Sequence, residues 1–232
     1  MADVASRVLV QPATTEEVER FTKLECNLYT AVISDALDSM GIREQAMEGR
    51  LRPLDPSFRL IGRARTIACS DVYHDCSDPY GMEIEAVDSI LDGEVVVVST
   101  QESKRNAPWG ELLSTAAKAR GARGAIIDGL VRDVKKIQRL GFPVFAAGIK
   151  PVDSKGRGIV TDYNVPVVCG GVTVYPGDLI FADYDGVVVI PQRVADEALR
   201  LAGERVALED HTREELNNGA YLRDVYAKYG VL

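Results

Sequence analysis

Between residues 94 and 149 the chain changes hydrophobic period again and again, and this constrains its fold more than any other feature. "EVVVVST" is a run of β-branched residues bounded by polar ones, which predicts a buried strand. "WGELLSTAAKARGARG" is amphipathic, rich in Ala and Leu, and stopped by glycines, so it predicts a helix. "AIIDG" is the next strand, "VRDVKKIQRLG" the next helix and "FPVFAAG" the strand after that. Strands that alternate with helices in this way predict a parallel sheet flanked by helices.

The flanking regions carry different textures. "TTEEVERFTKL" predicts a helix with a Thr cap, and "TAVISDALDSMG" a second one stopped at Gly41. Prolines followed by alternating residues in "LRPLDPSFRLIGRARTIACS" predict a strand, and "EIEAVDSILDG" a short helix closed by Asp-Gly. "GIVTDYNVPVVCGGVTVYPGDLIFADYDGVVVIP" holds several short β runs separated by Gly, Asn and Asp turns, which predicts mainly antiparallel strands. The charged, helical end runs from about residue 192 to 232, and no low-complexity linker or strong internal repeat interrupts the chain. The expectation is one α/β domain over residues 1–232: a parallel βα layer, a second β layer and a C-terminal helical extension.

Composition excludes several function classes. A net charge of -8 argues against a nucleic-acid surface, which needs clustered positive charge. No apolar run approaches the ~20 residues of a membrane helix. The opening "MADVASRVLVQPATTEEVER" lacks the apolar core of a signal peptide, so a cytoplasmic location is expected. Cys26, Cys69, Cys76 and Cys169 form no CxxC pair, which predicts reduced, buried thiols. The two histidines, His74 and His211, lack zinc-ligand spacing. Any metal would therefore be held mainly by carboxylates, which favours Mg²⁺ or Mn²⁺.

Ligands of parallel βα units gather where strands end and helices begin. At "NAPWGELLS", Gly110 permits close backbone approach, and the N–H groups of Glu111, Leu112 and Leu113 at a helix start are free to bind an anion. Glu111 either adds a functional carboxylate or simply complements the helix dipole. At "DGLVRDV", Arg132 offers a planar donor fork for a substrate carboxylate and Asp133 a hard oxygen for Mg²⁺; the bland alternative is an N-cap Asp beside a solvated Arg. Asp128, read as the end of its strand before Gly129, either joins this cluster or fixes the turn. Two such junctions in adjacent βα units can converge on one pocket.

These stretches resemble a known family, the group of 4-hydroxy-4-methyl-2-oxoglutarate aldolase and the regulator of ribonuclease activity A. The matching segments are "TAVISDALDSMG", "GRARTIAC", "WGELLSTAAKARGARGAIIDGLVRDV", "FPVFAAG", "VPVVCGGVTVYPGDLIFADYDGVVVIP" and the closing acidic helix. The resemblance implies a swivelling β/β/α fold, a ring-shaped homotrimer or a homohexamer of two rings, a divalent metal, and a pyruvate-type ligand in a cleft between subunits. By the same resemblance Asp133 is the direct metal ligand and Arg132 grips pyruvate. Glu111 holds metal-bound water, and the N–H groups of Leu112 and Leu113 bind the pyruvate carboxylate. A glutamate from a neighbouring subunit's C-terminal helix completes the site; Glu209 is the candidate, with Glu204 nearby. Some members once carried a demethylmenaquinone methyltransferase label, but no Gly-rich motif followed by an acidic residue supports an adenosine cofactor here.

The implied chemistry is cleavage of a 4-hydroxy-2-oxo acid to pyruvate and a second carbonyl compound, with oxaloacetate decarboxylation through the same enolate. Neither junction contains histidine, so metal-bound water is the expected base, oriented by Glu111 and Glu209. Lys135 and Lys136 follow Asp133 on a helix and read as solvated, which disfavours a Schiff base. Two alternatives stay open: a non-catalytic protein that binds ribonuclease E, and a lyase for a sugar-derived oxo acid.

Overall fold

Strand β2 (Leu60–Asp71) organises the molecule because it is long enough to serve three neighbours. Its residues 63–68 pair in parallel with β3 (Glu94–Ser99). On its other edge, residues 60–63 take β9 (Leu179–Asp183) and residues 67–71 take β6 (Gly158–Tyr163), both antiparallel. Parallel pairing continues from β3 to β4 (Gly124–Val131) and to β5 (Val144–Ile149), while β10 (Gly186–Ile190) closes onto β9 and β1 (Arg52–Pro53) onto β5. The sheet order is β1-β5-β4-β3-β2-β9-β10, and β7 (Val167–Cys169) with β8 (Val172–Val174) forms a separate ribbon. The computed structural model describes residues 7, 8 and 10–231; residues 1–6 and 9 of the opening segment read above for a signal peptide lie outside them.

Side chains alternate across this curved sheet and sort the core into three parts. The inner face gathers Val95, Val97, Ile126, Phe145, Ile180 and Val189, covered by the β7–β8 ribbon. One outer face presents Val96, Val98, Ala125, Ile127 and Val144 to helices α3 (Gly81–Asp88), α4 (Glu111–Ala119) and α5 (Val134–Leu140). The other presents Ile61, Phe181, Val188 and Ile190 to α1 (Thr15–Asn27), α2 (Thr30–Ser39) and α6 (Ala195–Asn217). Burial on both faces explains why β3 reads as an unbroken run of valines.

The predicted caps form. The Thr14 hydroxyl accepts from the Glu17 N–H at 3.2 Å, and Gly41 turns the chain after α2 at φ 74°. The late strands are antiparallel, as their turn chemistry requires, but three of them extend the parallel sheet through β2 rather than building a separate layer; only the ribbon stands apart. The C-terminal helices are α6 and α7 (Leu222–Tyr229). The first turns of α6 are core, with Ala198, Leu199 and Ala202 buried against α2. Among the described residues no helix is long and apolar enough to cross a membrane.

Two expectations need correction. Asp128 does not end its strand: β4 runs on to Val131 through a register irregularity between Ile127 and Leu130. Its buried carboxylate accepts from the Thr100 N–H at 2.6 Å and the Thr100 hydroxyl at 2.8 Å, which latches the end of β3 to β4. Gly129 is required there, because a Cβ would lie 2.5 Å from the Thr100 hydroxyl oxygen. The cysteines are all free, but only Cys69 and Cys169 are buried; Cys76 is partly covered and Cys26 is exposed.

Candidate functional site

The two strand–helix junctions are stitched together. The Arg132 N–H donates to the Trp109 carbonyl at 3.0 Å, and Trp109 forms a parallel bridge with Val131. Asp133 sits at the N-cap of α5 in the left-handed conformation, φ 60° and ψ 28°, one that Asp tolerates better than most side chains. Its backbone carbonyl accepts from Lys136 and Ile137, so the helix starts on the main chain. The carboxylate makes no cap bond to its own helix and points across to the other junction, where its Oδ2 lies 3.4 Å from the Glu111 nitrogen.

Gly110 makes that approach possible. A Cβ there would lie 2.9 Å from Asp133 Oδ2 and 3.1 Å from Arg132 Cγ, so one added methyl must displace both side chains. Gly110→Ala is expected to lower ligand affinity and turnover roughly 10²-fold, the order of effect of a small misplacement at a reacting centre, while the melting temperature changes little. Wild-type kinetics from a folded Gly110→Ala protein would separate this corner from the chemistry.

As the N-cap of α4, Gly110 also has no side chain to satisfy the first N–H groups. The Glu111 N–H leans toward Asp133, which leaves the N–H groups of Leu112 and Leu113 open to an anion. The Leu112 side chain is 78% exposed at the rim, whereas Leu113 packs on the core. The Glu111 carboxylate turns along its own helix, where it accepts from the Thr115 hydroxyl at 3.0 Å.

Arg132 is not a freely solvated arginine. Its Nη2 lies 3.0 Å from Asp153 Oδ1, and its Nε 3.9 Å from Asp133 Oδ2. Asp153, from the β5–β6 loop, also accepts a hydrogen bond from the Tyr80 hydroxyl at the start of α3. Burial opposes ionisation of Asp153, but the Tyr80 hydroxyl and Arg132 outweigh it and hold the carboxyl below its usual range. The hydrogen bond to Asp153, with burial second, pushes the Tyr80 phenol up to about 12. From its sequence, "SDVYHDCSDPYGMEIEA", with His74 and Tyr80, either lines the outer part of the pocket or is an ordinary polar loop, the latter favoured; in the structure Tyr80 joins the site and His74 is exposed. Asp153 was missed, since "PVDSKGRG" reads as an ordinary loop.

Glu209 is not brought to this corner within the chain. Its carboxylate accepts from the Tyr29 hydroxyl and lies 3.5 Å from Arg205 Nε, on α6, whose core lies on the opposite outer face from α4 and α5. Glu204 pairs with Arg200 at 2.5 Å. Lys135 and Lys136 are exposed.

No group of three or more His, Cys, Asp or Glu side chains that could hold a metal ion exists among the described residues. The donor set still suits one kind of ion. Mg²⁺ keeps several waters and binds proteins through one or two carboxylates, and Asp133 offers one with an uncommitted oxygen.

An α/β protein with Arg132, Asp133 and the start of α4 brought together at the ends of its parallel strands is what this fold and geometry define. The chain belongs to the RraA-like family, Aldolase/RraA, whose sequence model matches residues 30–189. A Halalkalibacterium halodurans protein, provisionally named 4-hydroxy-4-methyl-2-oxoglutarate aldolase, is 34% identical over 185 residues, 80% of this chain and 82% of that one. An uncharacterized Pseudomonas syringae pv. tomato protein of known structure is 29% identical with a TM-score of 0.79, covering 93% of this chain and 99% of its own. Streptomyces coelicolor RraAS2, described as an unusual member of the RNase ES inhibitor RraA family, is 28% identical with a TM-score of 0.77, covering 88% and 100%.

Proposed function

We propose that this protein is a lyase, dependent on Mg²⁺ or Mn²⁺, that cleaves a 4-hydroxy-2-oxo acid to pyruvate and a second carbonyl compound and also decarboxylates oxaloacetate. The observation that carries this reading is the contact made possible by Gly110, which sets Arg132, Asp133 and the open N–H groups of α4 around one point. In this reading the Leu112 and Leu113 N–H groups hold the substrate carboxylate, and the Arg132 fork faces the 2-oxo oxygen. When the C3–C4 bond breaks, its electron pair becomes the enolate of pyruvate, and the charge growing on that oxygen meets a guanidinium already held by Asp153. A divalent cation held by Asp133, with Glu111 in support, would supply Lewis acidity at the same oxygen. Loss of CO₂ from oxaloacetate produces the same enolate, which is why both reactions belong to one site. A homotrimer or homohexamer would bring a neighbour's Glu209 to the cleft, since its own chain keeps it elsewhere.

The test is pyruvate release from a panel of 4-hydroxy-2-oxo acids, sugar-derived oxo acids and oxaloacetate, with and without Mg²⁺. Turnover of at least one substrate, dependent on the metal, is expected. Absence of turnover on the whole panel with metal present would remove the lyase reading and leave the regulatory one, suggested by likeness to the Streptomyces protein.

A further inference from the structure

Pro79 and Ser154, the chain neighbours of Tyr80 and Asp153, help to wall a small, partly open cavity of about 10 Å³, room for roughly one water molecule. Its wall is more apolar than polar, with Pro79, Pro108, Ile159 and Val160 contributing, but polar side chains are set into it: Ser70 and Asp71 from the end of β2, Ser103 from the segment before α4, and Glu83 from α3. Ser103 is committed, donating to Asp71 at 2.7 Å. Glu83 differs, for among the described residues nothing hydrogen-bonds to its carboxyl, which faces the cavity one helical turn from Tyr80. The reaction proposed above needs a group that accepts a proton and gives it back. Arg132 cannot do so, and Asp153 is held ionised by the Tyr80 hydroxyl and its ion pair with Arg132.

We propose that Glu83, acting through the water this cavity admits, is the proton carrier of the cleavage, in place of the metal-bound water expected from sequence. The inference rests on the lyase reading. The Glu83 carboxylate accepts the 4-hydroxyl proton by way of the water. The C4–O bond becomes a carbonyl as the C3–C4 electron pair leaves to form the enolate. The same proton then returns from Glu83 to C3, giving the pyruvate methyl group and restoring the carboxylate.

The surroundings suit a group that exchanges protons near neutrality. Burial, then the Asp153 carboxylate, push Glu83 up to about 7, and Arg132 opposes them. The other groups facing it are Asp71 and Cys69 on β2 and Tyr80 on its own segment, and burial keeps the Cys69 thiol protonated. The sign follows. A base must be ionised, so turnover rises with pH through about 7. The raised value also means that the folded protein loses stability relative to the unfolded chain as pH climbs from about 4.5 to about 7.

The test is Glu83→Gln, an isostere of the protonated acid. In magnesium-containing buffer, pyruvate release should fall about 10²-fold or more with KM little changed, and its rise through neutral pH should vanish. Deuterium exchange into the methyl group of pyruvate in D₂O, followed by proton NMR, should be lost with it. The variant's melting temperature relative to wild type should increase from about pH 5 to about pH 8. If wild type releases pyruvate while Glu83→Gln keeps the exchange rate and the pH profile, the proton-carrier role is overturned and the lyase reading stands. If wild type neither releases pyruvate nor exchanges its methyl protons, both fall.

Discussion

Replacing Arg132 with alanine is expected to lower kcat/KM for pyruvate release by about 10²- to 10³-fold, or ~2–4 kcal/mol, the scale of losing one preorganised donor to a developing oxyanion. The fold should survive. The side chain is 39% exposed, and its removal leaves Asp153 still bonded to Tyr80. Arg132→Lys should not restore the rate, because an ammonium is a point charge and cannot engage Asp153 and a substrate oxygen in one plane. Asp153→Asn should weaken the same step less, since it loosens the guanidinium without deleting it, and the double variant should resemble Arg132→Ala alone. Steady-state kinetics on the four proteins form a double-mutant cycle. Fully additive losses would show that Asp153 does not act through Arg132.

The second large effect is at Asp133, where two consequences must be kept apart. Asp133→Ala removes the carboxylate of the corner that keeps one oxygen free, and it also places alanine at φ 60°. The left-handed conformation is unfavourable for alanine by roughly 1–2 kcal/mol, so this variant should lose stability as well as activity. Asp133→Asn keeps both shape and conformational tolerance, so it should melt like wild type. Both should bind Mg²⁺ at least about 100-fold more weakly in a calorimetric titration, and turn over no faster than wild type treated with a chelator. If Asp133→Asn kept wild-type Mg²⁺ affinity, the metal would have to be held elsewhere.

The strand–helix alternation was legible because it is local. Valines in succession, Ala- and Leu-rich amphipathic stretches and glycine stops each act over a few residues, and β3, α4, β4, α5 and β5 appear where the pattern puts them. The placement of Gly110, Glu111, Arg132 and Asp133 at two helix starts was legible for the same reason. Asp128 shows the limit of such reading: Asp-Gly looks like a turn, but pairing with β5 on the far side of the irregularity carries the strand on to Val131. Pairing partners also decided that β6, β9 and β10 extend the main sheet, because a long β2 offered them a free edge.

By itself, then, the order of residues determined the alternation of elements, their caps and the four residues at the two helix starts. Only the tertiary structure decided that Asp153 and Tyr80 meet Arg132, that Glu83 lines a cavity walled in part by Pro79 and Ser154, and that Glu209 lies on another face. The physical reason is range. Hydrophobic period and turn chemistry act between neighbours in the chain, whereas Tyr80, Arg132 and Asp153 come from three separate connections. Strand register and the paths of those connections bring them within hydrogen-bonding reach, and no short window of sequence encodes either.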